Sequence, residues 1–127
     1  MLNFTGMTTV TQGSVGLGLA ISYFVSKGLI VSLPLNDNQN YDLIVDIDGL
    51  KKIQIKTTRV KRNGIYKCQL KKVRPNRTSN VITNFDSDEV DFLFILTEDG
   101  DKYCIPSKEV IVKTELSLDE RYDKFKE

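Results

Sequence analysis

Three residues, Asp42, Gln54 and Lys56, have types and spacing that could support metal-assisted chemistry on a phosphate, although on their own they are equally compatible with a polar strand face. If residues 51–58 form a strand, Gln54 and Lys56 project from one face, because residues i and i+2 share a face, while two isoleucines face the core. Asp42 lies on the preceding predicted strand. Carboxylate and amide oxygens suit Mg²⁺, which would polarise a phosphate and activate a bound water. The lysine could then stabilise charge that develops on the phosphate oxygens, or orient the attacking water.

Such a site requires Asp42 to share a face with the glutamine and the lysine. A two-residue turn at residues 48–49 would place Asp42 opposite Ile55 and turn it away. A three-residue loop that also includes Leu50 would place Asp42 opposite Lys56. A slip of one residue moves every side chain of a strand to the other face. The site hypothesis therefore predicts the three-residue loop or a bulge.

The elements that position these residues begin with a helix. Thr11 is a candidate N-cap, residues 12–27 form a predicted helix that should be largely buried, and Gly28 is its stop. Its glycines follow a GxxGxG pattern with no strand before it, which does not fit the dinucleotide-binding fingerprint. Close approach of the backbone to a neighbouring strand is favoured over approach to a phosphate for these glycines: Gly13, Gly16 and Gly18.

The rest of the chain reads as strands and loops. The pattern predicts strands at residues 29–33, 41–47, 51–58, 65–72, 90–97 and 102–105, an irregular segment at 74–84, a helical turn at 86–90 and a short helix at 116–125. This order predicts an α+β fold with one mixed central sheet. We expect a single domain over residues 1–127, with residues 1–10 as an N-terminal arm and residues 115–127 as a C-terminal tail or short helix.

The composition of the 127 residues excludes several classes of chemistry. There is no histidine, which excludes Ser-His-Asp and Cys-His catalysis and histidine-based zinc sites. The two cysteines, Cys68 and Cys104, are too few for a Cys₄ zinc site; they could form one bridge, but buried free thiols are the favoured expectation. No signal peptide or membrane span is visible, so we expect a cytoplasmic protein without membrane contact.

The charges of the chain are segregated. The net charge is only +1, yet residues 51–77 carry eleven bases and no acid, and residues 78–127 carry thirteen acids and six bases. A block of like charge favours a polyanionic partner, most simply nucleic acid, with binding that weakens steeply as salt rises. The alternative is internal compensation by the acidic C-terminal third, and the two can coexist.

Several short pieces around the Asp42–Lys56 segment resemble one family when they are taken in order. Residues 11–110 resemble the PD-(D/E)XK nuclease superfamily, and within it the homing endonucleases associated with group I introns, in which glutamine replaces the middle acid. The pieces that carry the resemblance are Gln12-Gly13-Ser14-x-Gly16, Lys27-Gly28, Pro34-Leu35, Tyr41-Asp42-Leu43-Ile44-Val45-Asp46, Ile53-Gln54-Ile55-Lys56-Thr57, Asn84-Phe85, Glu89-Val90-Asp91-Phe92 and Ile105-Pro106.

The resemblance implies a restriction-endonuclease-like core, a mixed sheet flanked by helices, and Mg²⁺-dependent hydrolysis of double-stranded DNA, with Mn²⁺ able to substitute. Residue by residue, it implies that Asp42 is a metal ligand and that Gln54 is the substituted acid and a further ligand. It also implies that the backbone carbonyl of Ile55 is a ligand and that Lys56 is the catalytic lysine. One position departs from the family: Leu17 stands where a helix glutamate is usual.

The basic block is the expected DNA-binding surface, because arginine, lysine and amide side chains suit groove and phosphate contacts. The candidates are Arg59, Lys61, Arg62, Lys71, Lys72, Arg74 and Arg77. Ser14 is a candidate phosphate contact near the helix start, or a local cap. A symmetric nuclease needs two sites to cut two strands, so a homodimer or a homotetramer is expected. Other functions remain open: a Holliday-junction-resolvase-like nuclease, a catalytically degenerate DNA-binding module, or a structural protein with an Asp42–Lys56 ion pair.

Overall fold

A computed structural model describes residues 2–75, 78 and 80–127 of the chain. In these residues one α-helix, α1 (Thr9–Ser26), is followed by ten strands. In chain order the strands are β1 (Val31–Ser32), β2 (Leu43–Asp46), β3 (Leu50–Thr58), β4 (Lys61–Arg62), β5 (Ile65–Gln69), β6 (Lys72–Pro75), β7 (Asn80–Thr83), β8 (Phe92–Thr97), β9 (Lys102–Pro106) and β10 (Glu115–Ser117). Two 3₁₀ helices, Ser107–Glu109 and Glu120–Phe125, lie on either side of β10 in the sequence.

The ends of α1 are set by a threonine and a glycine. The side chain of Thr8 accepts a hydrogen bond from the backbone N–H of Thr11 at 3.1 Å, so Thr8 is the N-cap. The prediction that Thr11 caps the helix is wrong, because the chain offers neighbouring threonines and an earlier one takes this place. Gly28 follows the helix with φ of +81°, a left-handed conformation that glycine adopts without strain, as predicted.

The N-terminal segment before α1 is anchored to the protein. Phe4 is fully buried, and its backbone N–H donates to a carboxylate oxygen of Glu98 at 3.1 Å. The carbonyl oxygen of Phe4 accepts a hydrogen bond from the guanidinium of Arg59, also at 3.1 Å. The arm expected at residues 1–10 is therefore shorter than that range, since α1 begins at Thr9. Hydrogen bonds at the backbone N–H and at the carbonyl of the buried Phe4 hold this segment in place.

Helix α1 presents one narrow side to the rest of the protein. Its buried residues, Gly16, Ala20 and Phe24, are four residues apart and lie along one face. Val10 and Val25 are 79% and 53% exposed. The prediction of a largely buried helix is wrong, because α1 packs against a single face of a sheet and its other side meets solvent.

One glycine of α1 is required by the packing of the helix on the sheet. A Cβ atom at Gly16 would lie 2.5 Å from Cγ2 of Thr57, closer than side-chain carbons pack. Cβ atoms at Gly13 and Gly18 would meet nothing within 4 Å. The prediction that close packing explains the three glycines is confirmed for Gly16 and wrong for the other two.

Five strands form the central sheet, in the order β1-β2-β3-β8-β9. β3 and β8 are parallel and the other neighbours are antiparallel, so the sheet is mixed, as predicted. One face packs against α1 through residues that include Phe24 and Ile53. The other face packs against β5 and β10 through Cys68 and Leu116, so strands cover it rather than a second α-helix. The α+β fold with a mixed central sheet is confirmed.

Alternate residues of β3 face the two sides of this sheet. Ile53 packs with α1, and the hydroxyl of Thr57 accepts a hydrogen bond from Nε2 of Gln12 in α1 at 2.9 Å. Gln54 and Lys56 lie between these positions and face the side of β5. The alternation predicted from the sequence is confirmed, so the glutamine and the lysine share one face.

The register of β2 and β3 differs from the predicted one. Leu43 lies opposite Ile53 and Asp46 lies opposite Leu50, so the connecting loop is residues 47–49. In this loop Asp48 and Gly49 both have positive φ, and the Gly49 N–H donates to the Asp46 side chain at 3.1 Å. Leu50 therefore belongs to β3 and not to the loop. The prediction of a three-residue loop at residues 48–50 is wrong in position, because the loop lies one residue earlier.

The shift in register leaves the face of Asp42 unchanged. Continuing the observed pairing places Asp42 across from Gln54, two residues from the expected partner, Lys56. Because side chains alternate with period two, a shift of two residues keeps Asp42 on the face that Gln54 and Lys56 share. The requirement of the site hypothesis is met by a register that the sequence analysis did not consider.

Three segments differ from their predicted structure. The segment predicted to be irregular at 74–84 contains part of the β6–β7 ribbon, in which Val81 and Ile82 are 47% and 61% exposed. Val81 and Ile82 are adjacent, so both faces of β7 are exposed at this point, and its sequence lacks apolar alternation. Residues 86–90 form a turn rather than a helical turn. Residues 116–125 contain the end of β10 and a 3₁₀ helix, because Leu116 and Leu118 are buried at strand spacing.

Candidate active site

The position of Asp42 is fixed at the start of β2. Its backbone N–H donates to the carbonyl of Ile53 at 2.8 Å, and its Oδ2 accepts the backbone N–H of Ile55 at 2.7 Å. β2 pairs with β3 only as far as Ile53. The Asp42 carboxylate therefore occupies the edge of β3 just beyond the last strand pair, and its side chain is exposed.

The same edge of β3 brings a backbone oxygen toward Asp42. In an extended strand the N–H and C=O of one residue point to the same edge. Since the Ile55 N–H points to Asp42, the Ile55 carbonyl is directed to that side as well. These two residues, which the resemblance implies as ligands of one ion, are thus brought together.

The amide of Gln54 faces a narrow crevice. The residue is 5% exposed, and its side chain makes no hydrogen bond to the described residues. The crevice has a volume of about 10 Å³, room for roughly one water molecule, and Asn40 and Glu89 border it. Nδ2 of Asn40 donates to Oε2 of Glu89 across its mouth. No fully buried side-chain N or O atom of the described residues lacks a hydrogen-bond partner, so the Gln54 amide is open to the crevice, where a water or another ligand can take its hydrogen bonds.

Lys56 is half-buried at the side of a larger cavity. This cavity has a volume of about 600 Å³ and is lined by residues of α1, β3 and the end of β5. Within the parts of the chain that the structure describes, Lys56 pairs with no carboxylate within 4.0 Å. Its ammonium group is therefore available to an anion that enters the cavity.

The donor set fits a hard divalent cation that keeps much of its water. Asp42 supplies one carboxylate, Ile55 a backbone carbonyl and Gln54 an amide oxygen, and all three are oxygen donors of the kind that Mg²⁺ prefers. Among the described residues no three acidic or cysteine side chains gather into a ready-made metal cage. Leu17, in place of the usual helix acid, packs beside the apolar cluster of α1 and supplies no charge. Substrate oxygens would have to complete the coordination.

The basic residues predicted to bind DNA differ in their surroundings: some are in ion pairs and others line cavities. Lys61 pairs with Asp99 at 3.5 Å, and Arg62 pairs with Glu115. Both acids come from the acidic C-terminal third, so internal compensation occurs at these two positions. Lys71 lines the 600 Å³ cavity. Two further candidates lie on strand β6 and one lies outside the described residues: Lys72, Arg74 and Arg77.

Ser14 does not lie at the start of the helix. Because α1 begins at Thr9, Ser14 is in its second turn, and its hydroxyl donates to the carbonyl of Val10 at 3.2 Å. This hydrogen bond is within the helix, so the reading of Ser14 as a cap is wrong. The unpaired N–H groups that could hold a phosphate belong to earlier residues of the helix.

Both thiols are free, and burial keeps them protonated. Burial raises the pKa of Cys68 to about 12, and the nearby Lys56 ammonium opposes this rise only in part. Burial likewise raises the pKa of Cys104, which is partly buried, to about 11. The expectation of free thiols is confirmed. With their pKa values raised in this way, neither thiol is a nucleophile at neutral pH.

Sequence reasoning missed Asn40 and Glu89 as neighbours of Gln54. Glu89 comes shortly before β8, and β8 lies parallel to β3, with Phe92 opposite Ile53. That pairing brings Glu89 to the crevice from a distant part of the chain. The signal available in the sequence was the acid just before the apolar strand, and it has meaning only once β3 and β8 are known to be neighbours.

The structure places an exposed acid just before the start of β2, a Q-x-K sequence on the antiparallel neighbour β3 and helix α1 across the sheet, which is the arrangement that the resemblance implied. A family model described as PD-(D/E)XK endonuclease matches residues 7–126. The chain belongs to the PD-(D/E)XK endonuclease family.

Among solved structures, the chain is similar to a bacterial homing endonuclease, I-Ssp6803I, with a TM-score of 0.77 and 28% sequence identity. The match covers 89% of this chain and 79% of that chain. No curated protein matches the chain by sequence. The resemblance to PD-(D/E)XK nucleases and to homing endonucleases is confirmed. Of the helices in the described parts of the chain, none has the length and apolar character needed to cross a bilayer.

Proposed function

We propose that this member of the family is a Mg²⁺-dependent homing-type endonuclease that hydrolyses phosphodiester bonds in double-stranded DNA. One observation carries the proposal: the Asp42 carboxylate is held at 2.7 Å by the Ile55 N–H on the strand that carries Gln54 and Lys56. The similarity to a bacterial homing endonuclease supports the homing type.

In this proposal the residues at the β3 edge divide the chemistry among them. The Ile55 N–H orients Asp42 through Oδ2, which leaves the other carboxylate oxygen for a ligand. When bound, Mg²⁺ supplies polarisation of the scissile phosphate and a lower pKa for the attacking water. Lys56 stabilises the charge that develops on the phosphate oxygens. The Gln54 amide offers its oxygen from within the crevice, without adding charge.

The β6–β7 ribbon is the element that we propose to read DNA sequence. A two-stranded antiparallel ribbon fits the major groove of B-form DNA, where base edges can be distinguished. Lys72 and Arg74 lie two residues apart on β6, with Arg74 opposite Val81 on β7. Among the strands that the structure describes, the ribbon pairs with neither of the other sheets, so it can approach a groove as a separate element.

Two copies of the chain would act on one duplex. Each chain carries one Asp42–Lys56 edge, and one such site cuts one strand at a time. Cutting both strands therefore calls for a homodimer or a dimer of dimers, whose symmetry matches a two-fold related target. Sedimentation of the protein with and without duplex DNA would measure this assembly.

The test of the function is cleavage of supercoiled plasmids that carry random inserts, with Mg²⁺ and with EDTA. We expect nicking or cutting that requires Mg²⁺, that is lost in Lys56→Ala, and that persists in Lys52→Ala. Lys52 is a matched control because it lies on the same strand and the same face.

The remaining outcomes separate the alternatives. Cleavage that persists in Lys56→Ala would contradict the proposed site. Salt-sensitive binding without cleavage, with a long target site excluded, would identify a degenerate DNA-binding module, for which Leu17 in place of the helix acid is the structural reason. Cleavage of four-way junctions but not of duplexes would identify a resolvase.

A further inference from the structure

The edge of β3 beyond its pairing with β2 is the floor of a groove. Past Asp42, residues Ile55 and Thr57 border the 600 Å³ cavity. The first turns of α1 form one wall through Gln12, and the end of β5 forms the other through Gln69. The candidate catalytic edge therefore opens directly into a concave surface.

This cavity continues into a second one along the strand. The second cavity, of about 260 Å³, shares four lining residues with the first, among them Gln12 and Gln69. It extends past Thr58 to Arg59 at the end of β3. Together the two cavities form a groove from Lys56 to Arg59 along one strand, which we call the β3-edge groove.

The β3-edge groove is cationic and lined with amide groups. Lys56 and Lys71 line its first part, and neither pairs with a carboxylate of the described residues. Arg59 and Lys67 line its second part. The acid in that part, Glu115, already pairs with Arg62. Uncompensated cations on a concave surface repel one another and attract an extended anion.

Two amide side chains line the groove beside its cations. Nε2 of Gln12 is held by the hydroxyl of Thr57 at 2.9 Å, which fixes the amide at the floor. Gln69 lies two residues before Lys71, so the amide and the ammonium flank the same part of the cavity. Neutral donors between lysines suit the alternating phosphates and sugars of a nucleic acid backbone.

We propose that the β3-edge groove holds the sugar–phosphate backbone of the strand being cut, with the phosphate next to the scissile one bound by Lys71 and Gln69. This inference rests on the proposed function, because it places the scissile phosphate at Asp42 and Lys56. In this proposal the β3-edge groove binds the DNA backbone independently of sequence, whereas the β6–β7 ribbon contacts the bases.

A large side chain at Gly13 tests the proposal by obstructing the groove. This helical glycine lines the groove, and a Cβ atom there would meet nothing within 4 Å. Gly13→Leu therefore fills the groove without a clash at Cβ. Gly18→Leu is the matched control, since Gly18 is also helical and open but does not line the groove.

Lys71 provides a test by charge, with Lys27→Ala as the matched control. Lys27 follows the other end of α1 and pairs with no carboxylate of the described residues. The probe is a fluorescein-labelled random-sequence duplex in EDTA, titrated with protein at several NaCl concentrations. Thermal unfolding of every variant shows whether it is folded.

We expect Lys71→Ala to weaken binding several-fold and to lower the slope of log affinity against log salt by about 0.9, the effect of one lost phosphate contact. Gly13→Leu should weaken binding as well, and both controls should match the wild type. If the wild type binds and cuts DNA and both groove variants match their controls, the backbone-binding role of the groove is rejected and the proposed function stands. If the folded wild type binds no duplex, both the role of the groove and the proposed function are rejected.

Discussion

Asp42 takes the place of a strand in pairing with Ile55: Oδ2 of its carboxylate accepts the Ile55 backbone N–H at 2.7 Å. β2 has ended at this point, so a side chain provides the acceptor that a neighbouring backbone would otherwise provide. The hydrogen bond therefore fixes the carboxylate to the backbone of β3 and not to a side chain. Because Asp42 directly precedes Leu43, the first residue of β2, the position of the carboxylate depends on where β2 begins.

Asp42→Asn should abolish cleavage and preserve the fold. The asparagine oxygen can still accept the Ile55 N–H, but the negative charge that attracts a cation is lost. We expect plasmid cleavage with Mg²⁺ to fall at least about 100-fold, a loss like that of removing a preorganised charge-stabilising group. Duplex binding in EDTA should be unchanged.

Asp46→Asn is the control for this substitution, because Asp46 is an exposed acid at the other end of β2. Its side chain accepts the Gly49 N–H, and asparagine can do the same. Equal cleavage by Asp42→Asn and Asp46→Asn would remove Asp42 from the site.

Glu89→Ala should reduce cleavage about 10- to 100-fold, the usual cost of losing a partner that orients a metal-site residue. Glu89 holds Asn40, two residues before Asp42, at the crevice of Gln54. Glu89→Gln keeps an oxygen for Asn40 and should retain most of the activity. The measurement is the initial rate of plasmid nicking at saturating DNA.

Asp88→Ala is the matched variant for Glu89, since Asp88 is a neighbouring exposed acid that pairs with Lys108. It should cleave like the wild type. A Glu89→Ala enzyme as active as Asp88→Ala would show that the contact with Asn40 does not support the site.

Gly16→Ala and Gly18→Ala should change stability in opposite directions. A Cβ atom at Gly16 would lie 2.5 Å from Thr57, and such overpacking costs about 1–3 kcal/mol. At Gly18 a Cβ atom meets nothing, so alanine should stabilise the helix by up to about 1 kcal/mol. Urea unfolding measures both, and Thr57→Ser should relieve the Gly16→Ala penalty. Equal effects of the two alanines would contradict the packing of α1 on β3.

Alkaline pH should destabilise the protein through its thiols. Burial raises the pKa of Cys68 from 9.0 to about 12 and that of Cys104 to about 11. The folded state therefore holds these protons where the unfolded state releases them, so their contribution is intact below pH 9 and is lost as pH rises further. Between pH 9 and pH 10 we expect a loss of about 1 kcal/mol for each thiol.

A double variant, Cys68→Ala with Cys104→Ala, isolates the thiols in this pH range. Tyr66 has its pKa raised by burial to about 12 and adds destabilisation of the same sign only near and above pH 10. The unfolding free energy of the double variant should be lower at neutral pH and flatter between pH 9 and pH 10. An equally steep decline in both proteins would assign the effect to other groups.

The sequence predicted the face of the candidate site because alternation along β3 is a local property. Gln54 and Lys56 share a face whatever the neighbouring strands do, and Asp42 joins them in any register shifted by an even number of residues. The register itself was not predictable, because Leu50 is 73% exposed and reads as a loop residue. Whether Leu50 extends β3 depends on the positive φ values of the turn before it.

Features that depend on contacts distant in sequence were not predictable from local patterns. The approach of Glu89 to Gln54 depends on the parallel pairing of β3 with β8. The exposure of one side of α1 depends on what covers the sheet, since an apolar helix sequence is compatible with one or two packed faces. The start of α1 was ambiguous for a simpler reason, the presence of several threonines able to cap.

Lys61 pairs with Asp99 and Arg62 pairs with Glu115. In the proposed function these carboxylates compete with DNA phosphates for the two cations. A phosphate that reaches either cation must displace a carboxylate already there, so these two positions add little to the attraction for an arbitrary duplex. The cost is the same for every sequence, whereas base contacts differ between sequences. If the protein acts on DNA as proposed, masking part of the positive charge shortens the time spent on random DNA and makes residence depend more on contacts that only a matching site provides.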